Sequence, residues 1–194
     1  NVAPTLGPRV LDVGCAIGNI TKHILDRELV VGNDLEPENI RRFLELYGHR
    51  PQVKAFAMDF ERDYPGPLAG FQFDGIVCCN VMEHLEHDVA ALSRFRELLA
   101  PNGRVGLLVP ALRVLFGSMD RTDGHWRRYQ KPDLRAKFEQ AGFRVDRIFY
   151  MNFPGTFGWF LNARILKRPM VTAGQVRAYD KVVPAIRLAE RWMP

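Results

Sequence analysis

Val10-Leu11-Asp12-Val13-Gly14-Cys15-Ala16-Ile17-Gly18 carries the chain from an apolar run into a pair of glycines. The apolar run reads as a buried parallel strand, predicted over Arg9–Val13. Gly14 lets the backbone turn sharply and brings N–H groups close to whatever lies beyond the strand end. A helix is predicted to follow over Asn19–Asp26. Val30-Val31-Gly32-Asn33-Asp34 looks like a second buried strand, this one ending in a carboxylate sixteen residues after Gly18. A carboxylate at that place can accept both hydroxyls of a ribose.

Outward from these two strands, apolar runs and helical patterns alternate. Leu29–Asn33 is the second strand, and Pro37 opens a helix with Ile40, Phe43, Leu44 and Tyr47 on one face and Gly48 as its stop. Val53–Met58 is a third strand, Asp63–Gly70 a loop, and Asp74–Cys79 a fourth, nearly continuous apolar strand. Val89, Leu92, Phe95 and Leu98 mark a helix that ends at Pro101-Asn102-Gly103, before a fifth strand at Arg104–Val109. Pro132–Ala141 is a helix closed by Gly142, Arg144–Tyr150 a sixth strand, and Val176–Met193 a last helix. This alternation implies a doubly wound, mostly parallel α/β sheet of Rossmann-like type with helices on both faces.

A length of 194 residues suits one domain with a full core. Hydrophobic content of 47% and charged content of 25% are those of an ordinary soluble protein, and no apolar run reaches membrane-spanning length. Cys15, Cys78 and Cys79 lack zinc spacing and form no disulfide framework, so a reducing, cytoplasmic setting is expected. The net charge of +5 suits an anionic partner or simple solubility. The chain starts at Asn1 and stops at Pro194 without room for further elements, and both ends are expected to be incomplete.

Four blocks in order, Val10–Gly18, Val31–Pro37, Ala57–Phe60 and Phe73–Pro110, resemble a class I S-adenosylmethionine-dependent methyltransferase. The last block is the most specific: Phe73-Asp74-Gly75-Ile76-Val77, then Val81-Met82-Glu83-His84-Leu85, then Leu98-Leu99-Ala100-Pro101-Asn102-Gly103. The resemblance covers about Arg9 to Tyr150. It implies that Asp12, Gly14, Cys15, Ala16 and Gly18 surround the methionine part of the cofactor S-adenosylmethionine. It implies further that Asp34 binds the ribose, Leu35 lies on the adenine, Asp59 accepts from the adenine amino group beside Phe60, and Asn80 and Val81 lie under the methionine part. The family usually has Gly where this chain has Ala16, which makes the loop less permissive. On this reading residues 1–194 form one domain, with a cofactor half (1–110) and an acceptor-side half carrying a lid-like segment (111–194).

Asp120-Arg121-Thr122-Asp123-Gly124-His125-Trp126-Arg127-Arg128-Tyr129 precedes a clean helix, and in similar methyltransferases such a block borders the acceptor pocket. His125 is the candidate general base and Tyr129 orients the acceptor, with His84 a second catalytic candidate. Trp126, Arg127 and Arg128 are candidate acceptor-binding residues, the arginines suiting an acidic group or else pinning a lid by salt bridges. Glu83, Glu86 and His87 do not converge, so no metal is expected. Met151–Pro169 is apolar with Arg164, Lys167 and Arg168, which suits a lid, a greasy acceptor or peripheral membrane contact. Asn80-Val81-Met82-Glu83 lacks the Pro-Pro-aromatic element of a base methylase, and no proline precedes Cys78 or Cys79, so no nucleic-acid acceptor is expected. The expected reaction is methyl transfer, with an oxygen favoured over N or C, to a small acceptor of secondary-metabolite, lipid or glycan-linked type. The alternatives are a nicotinamide-dependent oxidoreductase, disfavoured because the loop is not G-x-G-x-x-G, and a non-catalytic cofactor-binding subunit. Acceptor and oligomeric state are not written in the sequence.

Overall fold

The computed structural model describes residues 5–63, 66–167 and 173–190. Five strands, β1 (Arg9–Val13), β2 (Leu29–Asp34), β3 (Val53–Ala57), β4 (Phe73–Cys79) and β5 (Leu99–Leu108), form one sheet in the order β3-β2-β1-β4-β5. Every pairing is parallel. Leu11 stands between Val31 of β2 and Ile76 of β4, and all three are buried. Such central strands are buried on both faces, which is why they read as unbroken apolar runs.

Helix α1 (Pro37–Tyr47) links β2 to β3, and α2 (Asp88–Leu98) links β4 to β5. The first buries Ile40 and Phe43, and the second buries Ala91, Leu92, Phe95 and Leu98. Right-handed crossovers that run outward in opposite directions from β1 and β4 place these helices on opposite faces. A fully buried Leu or Phe contributes about 1.5–3 kcal/mol, so these stripes hold the helices to the sheet. The remaining helices are α3 (Ser118–Thr122), α4 (Lys131–Gln140), α5 (Phe153–Phe160) and α6 (Ala173–Glu190).

Three expectations are corrected. Asn19–Asp26 is not a helix; it holds only a 3-10 turn at Thr21–His23. There the Thr21 hydroxyl is drawn inward to Asp12 Oδ2 at 2.5 Å, and the N–H groups of His23, Ile24 and Arg27 close short bonds three residues back. Arg144–Tyr150 is not a strand. Unlike β4, it is broken by Asp146 and Arg147, and its Phe149 and Tyr150 are both exposed where a half-buried strand would hide one of them. β5 begins at Leu99 rather than Arg104, because Pro101-Asn102-Gly103 is absorbed as an irregularity: Phe73 pairs with Leu99, yet Gly75 pairs with Arg104. The last helix ends at Glu190 among the described residues, and residues 191–194 lie outside them.

The chain divides into two compact units. The first comprises Asn1–Val109 and Lys137–Arg144, and the second Pro110–Ala136 and Val145–Pro194.

Candidate functional site

In the first unit the strand order reverses between β1 and β4, so the chain leaves their carboxyl ends in opposite directions and opens a crevice. The segment after β1 starts with Gly14 at φ +69°, and the segment after β4 starts with Asn80 at φ +54°. The two meet so closely that a Cβ on Gly14 would lie 2.1 Å from Val81 Cγ2. Gly18, at φ +91°, is equally constrained, since a Cβ there would lie 2.3 Å from Tyr47 Cε2. Both glycines are therefore required by protein packing as well as by the turn.

The loop is fastened to the end of β2. Asn33 O accepts the N–H groups of Gly14 (2.8 Å) and Cys15 (2.9 Å). Asp34 Oδ2 accepts Ala16 N–H at 2.8 Å, while Oδ1 accepts Glu36 N–H and Asn39 Nδ2, each at 3.0 Å. Asp34 is thus a brace between the glycine loop and the start of α1. A carboxylate offers about four lone-pair sites, and three are taken, so Asp34 can accept one ribose hydroxyl as it stands and a second only by releasing one of its present partners. Leu35, next to it, is 62% exposed at the strand end, placed as an apolar platform. Asn80 is also exposed, and its N–H is held by Leu108 O at 2.9 Å.

Other predicted donor residues lie deeper. Asp12 is buried, and burial pushes its carboxyl up to about 6 despite the Thr21 hydrogen bond and with the Asp34 charge adding to the rise. Cys15 belongs to the core, where burial raises its thiol far above the ordinary range, so it offers a ligand only its backbone. Asp59 Oδ1 accepts Glu61 N–H (2.8 Å) and Arg62 N–H (3.2 Å), which makes it the anchor of the turn after β3. Phe60 is buried, with its ring 5.2 Å from that of Phe95. His84 is exposed in a 3-10 turn, Met82–His84, beyond β4. Asn33, Thr21 and Asn39 also hold the site together, and no motif marks them. A polar Asn33 inside an otherwise apolar strand was the available signal; its side chain donates to Met58 O at 3.1 Å.

The second unit carries the other predicted cluster. Asp120, fully buried in α3, accepts Arg128 Nε–H at 2.7 Å and pairs with His125 Nδ1 at 3.0 Å through Oδ1, while Oδ2 accepts Gly117 N–H at 2.9 Å. Burial pushes the Asp120 carboxyl up, but Arg128, the Gly117 amide and His125 outweigh it and hold it below the usual carboxylate range. An ionised Asp120 accepts the Nδ1–H of His125, which puts the basic lone pair of a neutral ring on Nε2. Arg128 also donates to Ala111 O at 3.1 Å and stacks 4.5 Å over the Trp159 ring. Its guanidinium is committed to this internal network. Trp126 is exposed, Arg127 half-buried and Tyr129 buried, with Tyr129 N–H and O bonded to Pro110 and Leu112. Asp120 was read only as the first residue of a polar block; its burial within a five-residue helix left no periodic signal.

The donor set fits S-adenosylmethionine: a braced carboxylate with a site left for a ribose hydroxyl, an exposed apolar side chain beside it, and a glycine turn at the strand-order reversal. Residues 11–105 match a family described as "Methyltransferase domain". A ubiquinone biosynthesis O-methyltransferase from Cereibacter sphaeroides (strain KD131 / KCTC 12085) is 28% identical over 188 residues, covering 88% of this chain and 74% of that protein. The YcgJ protein from Bacillus subtilis superposes with a TM-score of 0.64 at 19% identity, over 83% of this chain and 74% of that one. The N-methyltransferase NodS from Bradyrhizobium japonicum, solved with S-adenosyl-L-homocysteine, superposes with a TM-score of 0.55 at 19% identity, over 70% and 65%. The family match and the curated relative are methyltransferases, which supports neither the nicotinamide-dependent oxidoreductase nor the non-catalytic subunit. The ordered motifs, the five-stranded parallel sheet and these relatives together support a class I S-adenosylmethionine-dependent methyltransferase.

Proposed function

We propose that this enzyme methylates the hydroxyl of a small aromatic acceptor that is apolar or lipid-linked. The observation that carries the reading is the Asp120–His125 pair. A hydroxyl must lose its proton to become a good nucleophile, and an imidazole held by a buried carboxylate is suited to take it. The curated relative, which covers most of this chain, is an O-methyltransferase of ubiquinone biosynthesis and supports oxygen as the acceptor atom.

S-adenosylmethionine, when bound, supplies an electrophilic methyl group on a sulfonium. Gly14, Ala16 and Gly18 would hold its methionine part, Asp34 its ribose and Leu35 its adenine, which fixes the direction in which the methyl carbon is presented. His125 Nε2 would hold the proton that the acceptor hydroxyl gives up, leaving the oxygen as the nucleophile. A positioned base of this kind is worth about 10²–10⁴-fold. Asp120 balances the imidazolium that forms. Trp126 and Arg127 are the proposed acceptor contacts, with Tyr129 and His84 the further residues to vary.

The test is calorimetric binding of S-adenosylmethionine and S-adenosylhomocysteine to this chain and to Asp34→Ala, followed by turnover on a panel of phenols, amines and carbon acids. Asp34→Ala is expected to weaken binding roughly tenfold, since about 1.4 kcal/mol is one decade. Turnover on phenols that is lost in His125→Ala with binding unchanged supports the reading. Turnover on amines alone, or full activity in His125→Ala, overturns it.

A further inference from the structure

The most apolar helix of the second unit faces outward. α5 runs directly into a π-helical turn, Leu161–Ile165. Its inner side is fastened by polar contacts. Asn162 is buried, donates to Gly158 O at 2.8 Å and accepts from Gln175 Nε2 at 3.1 Å. The Ser118 hydroxyl donates to Ala163 O at 3.1 Å, and a Cβ on Gly117 would stand 2.7 Å from that same carbonyl oxygen. Trp159 lies under the Arg128 guanidinium.

The outer side holds Phe157, Phe160, Leu161, Arg164 and Ile165, spaced three and four apart in one stripe, and all are exposed. Phe157 is 67% and Ile165 60% exposed. A helix of a water-soluble protein ordinarily turns such a stripe inward and its asparagine outward; this one does the reverse. Phe149, Tyr150, Met151 and Leu166, which adjoin it in sequence, are exposed as well. The charge of this stretch is mainly positive: the described residues 145–167 contain Arg147, Arg164 and Lys167 against Asp146. Arg147 stacks over Phe149 at 4.8 Å and Lys131 over Tyr150 at 4.5 Å, which sets cations among the exposed rings. Among the described residues no helix is long and apolar enough to cross a membrane.

We propose that this face docks on the surface of an anionic lipid bilayer, with the Phe157–Ile165 stripe at the headgroup boundary and Arg147 and Lys167 against lipid phosphates, while Arg164 donates inward to Phe116 O at 3.1 Å. Aromatic and aliphatic side chains ringed by basic ones are the composition that such a surface binds. A second copy of this chain fits less well, because a two-fold contact sets the same basic residues against each other. The docking does not depend on which atom the enzyme methylates.

The experiment is cosedimentation of the chain with vesicles of phosphatidylcholine mixed with phosphatidylglycerol, and with phosphatidylcholine alone. Binding to the anionic vesicles is expected to be roughly tenfold tighter or more, and to weaken with added salt. Phe157→Ser with Ile165→Ser, and separately Arg147→Glu with Lys167→Glu, are each expected to lower it by about tenfold or more. Melting by circular dichroism and calorimetry with S-adenosylhomocysteine confirm that each variant is folded, and failure of the parent to bind that ligand counts against the methyltransferase reading alone. A folded chain that ignores both vesicles, binds them equally, or binds them as well after the substitutions overturns the docking. So does a dimer in light scattering that Phe157→Ser with Ile165→Ser dissolves while neither vesicle is bound.

Discussion

The glycine loop of the first unit and the Asp120 cluster of the second are both compact polar sites, yet they are built from opposite materials. The loop is a backbone construction: Gly14, Cys15 and Ala16 present N–H groups to Asn33 O and Asp34, and their positions follow from the parallel register of β1 and β2. The Asp120 cluster is a side-chain construction, in which one carboxylate collects a guanidinium, an imidazole and an amide. Backbone sites fail when a Cβ is added, whereas side-chain sites fail when a charge is removed. The two kinds of damage are separable by measurement.

The largest effect is expected in the second unit. Asp120→Ala leaves Arg128 buried without its carboxylate, and breaking a buried pair in this way costs about 3–5 kcal/mol. Urea unfolding monitored by tryptophan fluorescence gives the value; a loss under about 1 kcal/mol would mean that the pair is solvated and the contrast false. Asp120→Asn keeps the shape and removes the charge, so it separates packing from electrostatics. The folded-state carboxyl is held below its ordinary value, so its contribution is present above the unfolded value near 3.8 and is lost as pH falls through the folded one. Stability of the parent should therefore fall on acidification below about pH 4, and that of Asp120→Asn should fall less.

Gly14→Ala comes next. A left-handed backbone at φ +69° and a 2.1 Å clash with Val81 together cost about 2–4 kcal/mol, with loss of S-adenosylhomocysteine binding. The double variant Gly14→Ala with Val81→Ala relieves the clash and leaves the strain. Partial recovery of stability, read as a coupling in a double-mutant cycle, is expected. No recovery would place the whole cost in backbone conformation.

Asp12 sharpens the comparison, because burial, with the Asp34 charge adding to it, sets its titration, whereas at Asp120 the Arg128, Gly117 and His125 hydrogen bonds outweigh burial. Its folded value, about 6, lies above the unfolded 3.8, so the stabilisation is complete below pH 3.8 and is lost as pH rises through 6. The loss over that window is about 2–3 kcal/mol. Asp12→Asn retains an acceptor for Thr21 and should flatten the pH dependence of unfolding between those limits. An unchanged slope would assign the titration to another group.

The contrast between backbone and side-chain construction also explains what was legible beforehand. Strands β1 to β4, helices α1, α2 and α4 and the crevice between β1 and β4 follow from apolar runs and glycines, because a parallel sheet writes its burial directly into the chain. Asn19–Asp26 has the composition of a helix yet forms only a turn at Thr21–His23, because its geometry depends on a tertiary bond to Asp12, nine residues back. Arg144–Tyr150 has strand-like composition, but composition carries no information on whether a neighbouring edge is there to pair with. Asp120 and Asn33 were missed for a related reason: a buried polar residue is recognised by its partners, and partners distant in sequence leave no local pattern.

The smallest effect is expected at Ala16, where the resemblance implies a glycine. Ala16 sits at φ +46°, a conformation that costs an L residue about 1–2 kcal/mol, and its N–H is held by Asp34. Ala16→Gly removes that strain but gives the unfolded chain more freedom, which takes back about 0.4–1 kcal/mol. The net gain in stability is therefore expected to be within about 1 kcal/mol, readable as a small rise in the urea midpoint. Ligand affinity should change less than tenfold, since the Asp34 brace is to a backbone N–H that both residues possess. A large gain in affinity would mean that the alanine methyl intrudes on the methionine part of the ligand. A loss of stability would mean that the methyl is packed where it stands, and that the loop at this point is held by a side chain after all.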